Sequence, residues 1–219
     1  MTAKPKTAII DYGMGNLRSV SKALELCGAD VGIITEPKQV EDYNAIVLPG
    51  VGSFAPAIKI IQDTGLDIAI KKHLEQKKMF LGICLGFQLL FSQSYEEGTH
   101  KGLDIIKGTV EKFIPKTNEK LIIPHMGWNN INISNNKFAK QMYKNIQDNE
   151  YVYFVHSFYC KPENKNIIAT TTNYSIDFCS SIATENIWGC QFHPEKSSNI
   201  GLAILKNFVS KCEDPNAGN

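Results

Sequence analysis

The chain has 219 residues, 43% hydrophobic and 21% charged, which fits a folded globular protein and excludes disordered, collagenous and coiled-coil classes. Its 23 basic and 22 acidic side chains leave a net charge of +1, and Arg18 is the only arginine in the sequence. Neither a strong field nor the forked guanidinium groups that suit phosphate are available, so nucleic acid and membrane surfaces are not expected partners.

Thr7 to Asp11 is a short apolar run, and Leu17, Val20, Leu24 and Cys27 then recur at helical spacing until Gly28. Val31 to Ile34 and Ala45 to Leu48 read as further strands, the second running into Pro49-Gly50-Val51-Gly52-Ser53-Phe54. Helical spacing covers Ala55 to Ile61 and Leu66 to Leu74, and Met79 to Ile83 is another strand. Strands alternating with helices imply parallel pairing in a three-layer α/β sandwich with a mixed, mainly parallel central sheet.

After Phe91 the texture changes. Ile105 to Phe113, Leu121 to Ile123, Tyr151 to Val155, Ile167 to Thr172, Phe178 to Ala183 and Ile187 to Phe192 are short β-rich runs, with one helix expected near Asn136 to Lys144. This half is expected to be more antiparallel. Asn199 to Val209 closes the chain as a helix.

A single domain is expected over 1–219, at roughly 100 to 200 residues per domain, with a core of 7–211 and a tail of 212–219. No apolar run approaches the length of a membrane span, and Met1 to Lys6 is too polar for a signal peptide, so the expected location is the cytoplasm. Six widely spaced cysteines without Cys-x-x-Cys suggest neither a disulfide framework nor a zinc site. No metal or other cofactor is expected.

Gly82-Ile83-Cys84-Leu85-Gly86 joins a strand to a helix as Gly-x-Cys-x-Gly. Flanking glycines permit the tight turn of a nucleophile elbow, with Cys84 at the start of a helix running through Gln88 and Leu90 and the Leu85 amide placed to meet an oxyanion. The same segment is compatible with a buried cysteine in a tight turn.

A thiol nucleophile needs a base. Of the five histidines, only His156 and His193 follow strand-like runs that could place them at a sheet edge. In His193-Pro194-Glu195 a carboxylate two residues on can orient the imidazole, although a surface His-Pro turn gives the same pattern. Pro49 to Phe54 can turn its amides inward as a second oxyanion donor; as a phosphate loop it lacks the Gly-Lys-Ser/Thr ending.

Elbow, Pro-Gly-Val-Gly-Ser-Phe loop and His-Pro-Glu turn, in that order over nearly the whole chain, resemble the class I (triad) glutamine amidotransferases. Asp11-Tyr12-Gly13-Met14-Gly15-Asn16-Leu17, Pro124-His125-Met126-Gly127-Trp128-Asn129 and Glu195-Lys196-Ser197 are similar to the glutaminase subunits of imidazole glycerol phosphate synthases within that family.

The resemblance implies that Cys84 attacks the side-chain amide of L-glutamine, that His193 shuttles the proton, and that Glu195 orients His193. Backbone amides of Val51, Gly52 and Leu85 would hold the oxyanion. Gln88, Glu96 and the backbone around Ser157 and Phe158 would hold the amino-acid end of the substrate. It also implies a separate (β/α)₈ barrel cyclase as heterodimeric partner, receiving ammonia in histidine biosynthesis. Asn16, Arg18, Met126, Trp128, Asn129 and Lys196 are the residues expected to meet it. Two alternatives share these residues: a paralogous glutaminase feeding a cyclase-like partner in amidino-sugar synthesis, and a non-catalytic scaffold subunit.

Overall fold

A computed structural model describes residues 4–114 and 121–213. Its first half is β1 Lys6–Ile10, α1 Leu17–Leu26, β2 Asp30–Ile34, β3 Ala45–Leu48, α2 Phe54–Asp63, α3 Leu66–Glu75, β4 Met79–Ile83 and the short α4 Leu85–Gln88. The second half adds β5 Phe91–Ser94, β6 His100–Lys101, β7 Ile106–Lys112, β8 His125–Asn130, β9 Asn132–Ile133 and α5 Lys137–Met142. It continues with β10 Tyr151–His156, β11 Phe158–Pro162, β12 Ile168–Tyr174, β13 Ile176–Ala183, β14 Ile187–Cys190 and α6 Ser198–Glu213.

Twelve strands form one sheet whose main path runs β2-β1-β3-β4-β14-β13-β11-β7-β5-β6. From β2 to β14 every pairing is parallel. Beyond β14 the pairings turn antiparallel, except that β5 lies parallel to β7. The expected three-layer α/β sandwich with a mixed sheet is therefore what forms.

Alternation along each strand sends side chains to two separate cores. On one face Ile9, Val47, Leu81 and Trp188 meet Val20 and Leu24 of α1 and Ile204, Leu205 and Phe208 of α6. On the other, Ile10, Ile46, Leu48 and Phe80 meet Phe54, Ala57 and Ile61 of α2 and Leu66 and Ile70 of α3. These side chains are at most 1% exposed, and full burial of a large apolar side chain contributes about 1.5–3 kcal/mol each. Among the described residues no helix is long and apolar enough to cross a membrane.

Several expectations are corrected. Leu121 to Ile123 is not a strand; β8 begins at His125, so most of the Pro124 to Asn129 motif lies in a strand. It pairs with β10 in a separate two-stranded sheet. The helix after Cys84 is a single turn ending at Gln88 instead of continuing through Leu90. Finally, α6 continues through Glu213, into the stretch expected to be tail; residues 214–219 lie outside the described part.

Candidate active site

Parallel pairing places the chemistry-bearing loops on one edge of the sheet. Ile83 of β4 pairs with Cys190 of β14, so Cys84 and the segment Gln191 to Glu195 leave the sheet side by side, and the Cys84 amide donates to the Cys190 carbonyl at 2.8 Å. Leu48 of β3 pairs with Gly82, which brings Pro49 to Phe54 to the same edge. Ligands bind at the carboxyl ends of strands in such sheets.

Cys84 has φ 53° and ψ −108°, a strained conformation for a residue with a side chain and the one a nucleophile elbow requires. A Cβ on Gly86 would collide with the Leu48 carbonyl, and one on Gly82 would lie 2.8 Å from Cα of Phe87. Only glycine fits at either position. The helix behind it is only four residues long, too short to carry a substantial dipole. Its surroundings are the Val155 carbonyl, 3.8 Å away, and Gln191 Nε2, which points at the sulfur from 3.7 Å.

His193 begins the 3-10 turn Pro194–Lys196. Its Nδ1 lies 2.8 Å from Glu195 Oε1, with the two side chains only 3% and 1% exposed. Burial works against a charged ring, but the Cys84 sulfur and the Glu195 carboxylate both draw a proton onto it and hold its pKa well above the ordinary value. His193 Nε2 is buried and lacks a hydrogen bond of good geometry. The Cys84 sulfur nonetheless acts on the ring, as one of the two groups that favour its charged form. The turn is anchored to β10: Tyr153 N–H donates to Ser197 Oγ at 2.9 Å, and Ser197 Oγ donates to the His193 carbonyl at 2.7 Å.

Cys84 and His193 share a cavity of about 320 Å³ with Val51, Gly52, Leu85, Gln88, Glu96, Pro124, Val155, His156, Ser157 and Phe158. This volume suits a ligand the size of an amino acid. Gln88 is 5% exposed and donates to both the Phe158 carbonyl and Gln191 Oε1 at 3.1 Å. Glu96 Oε2 accepts the Phe54 amide at 2.7 Å; burial raises the carboxyl pKa, and the Phe54 bond pulls it back. Glu96 thus caps α2 while facing the cavity.

The amides expected to hold an oxyanion do not converge on the cavity. The Leu85 amide donates to the Gly50 carbonyl at 3.4 Å, and the Val51 amide is turned to the Met14 carbonyl at 3.1 Å. One peptide plane, between Gly50 and Val51, thus covers one expected donor and withholds the other. Gly52, with φ 96°, lines the cavity beside them. The Tyr12 hydroxyl, buried without a hydrogen-bond partner, lies against Gly50, and burial followed by the nearby Cys84 raises its pKa.

His156, the other candidate base, is engaged at both ring nitrogens, by the Phe158 carbonyl at 2.8 Å and His125 at 2.9 Å. Burial pulls its pKa to about 3. Pro124 and Val155 line the cavity and Gln191 reaches the Cys84 sulfur beside it, although none of the three was expected as a site residue. Gln191 carries the clearest signal of the three, two residues before His193 on the same outgoing segment.

The expected partner residues adjoin this edge. Paired residues of β8 and β10 project together, so Met126, Trp128 and Tyr151 share one outer face, exposed by 65%, 52% and 57%. Asn129 is half-buried on the opposite face. Lys196 and Arg18 are exposed, and Asn16 caps α1, its side chain accepting the Ser19 amide at 3.4 Å. Helix α1 packs against the turn that holds Lys196.

Residues 8–212 match the family model described as glutamine amidotransferase class-I. Imidazole glycerol phosphate synthase subunit HisH of Caldanaerobacter subterraneus subsp. tengcongensis is 48% identical over 93% of this chain and 98% of its own length. The protein of the same name from Aquifex aeolicus is 44% identical over 95% and 98%. Among solved structures, PurLQS from Thermotoga maritima superposes with TM-score 0.70 at 20% identity over 96% of this chain and 98% of its own. A glutamine amidotransferase from Thermotoga maritima gives 0.66 at 14% over 97% and 99%. The last two show the fold alone; the family match and the close relatives show that the chain belongs to the class I glutamine amidotransferases, within the group of imidazole glycerol phosphate synthase HisH subunits.

Proposed function

We propose that this chain is the glutaminase subunit of an imidazole glycerol phosphate synthase, that it hydrolyses L-glutamine at Cys84, and that it passes the ammonia to a separate barrel cyclase. The observation that carries the chemistry is the buried His193–Glu195 pair at 2.8 Å beside Cys84 in an amino-acid-sized cavity.

The Cys84 sulfur attacks the carboxamide carbon while His193 takes up the thiol proton. The tetrahedral intermediate places its negative oxygen at the Leu85 amide, and rotation of the Gly50–Val51 peptide adds the Val51 amide. Collapse transfers the proton from His193 to the departing nitrogen, releasing ammonia and leaving a γ-glutamyl thioester. His193 then takes a proton from water, which attacks the thioester, and glutamate leaves as the thiol recovers its proton. Glu195 holds the ring in one tautomer and stabilises it when charged. Glu96 suits the substrate ammonium, and Gln88 with the backbone at Ser157 and Phe158 frames its carboxylate end.

Ammonia released into water at neutral pH becomes mostly ammonium, which is not nucleophilic, so direct delivery has a chemical rationale. Val155 contributes to the cavity and belongs to the same face as Met126 and Trp128. A partner seated on that face borders the cavity where ammonia forms. The test is ammonia release from glutamine with and without a cognate barrel cyclase carrying its ribulotide ligand. Strong stimulation supports the reading; hydrolysis indifferent to the cyclase overturns the proposed partner.

A further inference from the structure

Two histidines outside the catalytic group form part of its scaffolding. His125 of β8 and His156 of β10 are paired across the two-stranded sheet, 4% and 5% exposed. His125 stacks between Phe154, with ring centroids 4.8 Å apart, and Tyr174, at 4.0 Å. Phe113 and Phe178 close on His156 at 5.3 and 5.2 Å. Aromatic walls solvate a charge poorly, and burial pulls the pKa of His125 to about 4 and that of His156 to about 3. Each ring is therefore neutral at physiological pH, with one hydrogen and one lone pair.

The neighbours decide where each hydrogen sits. His156 Nδ1 is 2.8 Å from the Phe158 carbonyl, which can only accept, so Nδ1 is protonated and Nε2 is bare. Facing that bare nitrogen at 2.9 Å is His125 Nδ1, which must therefore be the donor. The remaining nitrogen, His125 Nε2, accepts from Asn129 Nδ2 at 3.2 Å. Asn129 is fixed in turn: Nδ2 also donates to the Asn173 carbonyl at 3.0 Å, and Oδ1 accepts the Asn130 amide at 2.9 Å.

At the other end the Phe158 carbonyl also accepts from Gln88 Nε2, whose second hydrogen goes to Gln191 Oε1. Gln191 Nε2 then points at the Cys84 sulfur. One ordered series of hydrogen bonds thus runs from the edge of the two-stranded sheet to the nucleophile. Its direction is consistent only if both imidazoles are the Nδ1–H form, the minor tautomer of free imidazole side chains in water.

We infer that His125 and His156 are positioning residues, a relay of fixed tautomers that holds the Phe158 carbonyl and with it the Gln88 and Gln191 amides under the Cys84 thiol, ending at Asn129 beside the exposed Met126 and Trp128 face. The functional half of this inference rests on the glutaminase reading; the tautomer half does not.

Long-range 1H–15N correlation spectra of the 15N-labelled full chain at neutral pH report each ring directly, and both are expected as neutral Nδ1–H tautomers. An Nε2–H or charged ring at either position overturns the relay. His125→Phe keeps the aromatic stack but cannot donate to His156, whereas His125→Gln restores a donor. With the barrel cyclase bound, H125F is expected to raise the KM for glutamine about tenfold and change kcat much less, with H125Q recovering most of the loss. An H125F enzyme with parental KM and kcat, or equal losses in both variants, removes the positioning role. Absence of hydrolysis by the parental complex would instead remove the glutaminase reading, and the spectra would still decide the relay.

Discussion

The Gly50 carbonyl sits on the Leu85 amide at 3.4 Å, while the next amide, that of Val51, is bonded away from the cavity to Met14. Both groups belong to a single peptide plane. Rotating it would uncover Leu85 and bring Val51 inward together, so the proposed oxyanion site would have a closed and an open form related by one peptide flip. The closed form predicts slow hydrolysis by the isolated chain.

Gly50→Ala tests this hinge. A Cβ there would overlap the Tyr12 hydroxyl and lie 2.9 Å from Leu85 Cβ and 3.0 Å from the Gly86 nitrogen. Partner-stimulated kcat is expected to fall about a hundredfold, the size associated with losing one oxyanion donor. A variant with parental stimulation would show that the peptide need not move.

Glu195→Gln removes a charge that holds a proton on His193. The His193 pKa is expected to fall, so the alkaline limb of the pH–rate profile, where the ring loses the proton it gives to ammonia, moves to lower pH. The rate at neutral pH drops at least about tenfold. A profile identical to that of the parent would separate Glu195 from the titration.

Stability should depend on pH through the buried imidazoles. His73, His125 and His156 have pKa values pulled to about 4, 4 and 3, below the ordinary 6.5, chiefly by burial. Groups so depressed favour the folded state above the unfolded value, and that stability is lost as pH falls from 6.5 toward 4. His193 works in the opposite sense, because a raised pKa gives stability that is complete below 6.5 and lost on the alkaline side. Three groups outweigh one, so urea unfolding is expected to show a loss of a few kcal/mol between pH 7 and pH 5. Equal stability at both values would contradict neutral buried rings.

Trp128→Ala removes the largest exposed side chain of the β8–β10 face. Cyclase affinity is expected to weaken roughly 30-fold, about 2 kcal/mol, as for a central aromatic anchor. Folding and Cys84 alkylation should be unaffected. Unchanged affinity would place the partner elsewhere.

The parallel half was legible because β3 and β4 are continuous apolar runs and each is followed by glycine punctuation. Cys84 stood out within Gly82 to Gly86, and His193 with Glu195 within one turn, because each of the two motifs is local in sequence. The Pro124 to Asn129 strand was missed because β8 buries only one face, leaving Met126 and Trp128 outward in a pattern that reads as an aromatic turn. The partners of Gln88 were not legible, since Phe158 and Gln191 lie 70 and 103 residues away in the chain. The orientation of the Gly50–Val51 peptide is invisible in sequence because glycine permits either setting.

The central claim is that Cys84 becomes acylated by glutamine. Acid-quenching the chain with its cyclase partner during turnover, followed by mass spectrometry of the peptide containing Cys84, tests it most directly. One γ-glutamyl group is expected on that cysteine, absent from Cys84→Ala, which binds the partner and releases no ammonia. Ammonia release by Cys84→Ala at the parental rate would contradict it.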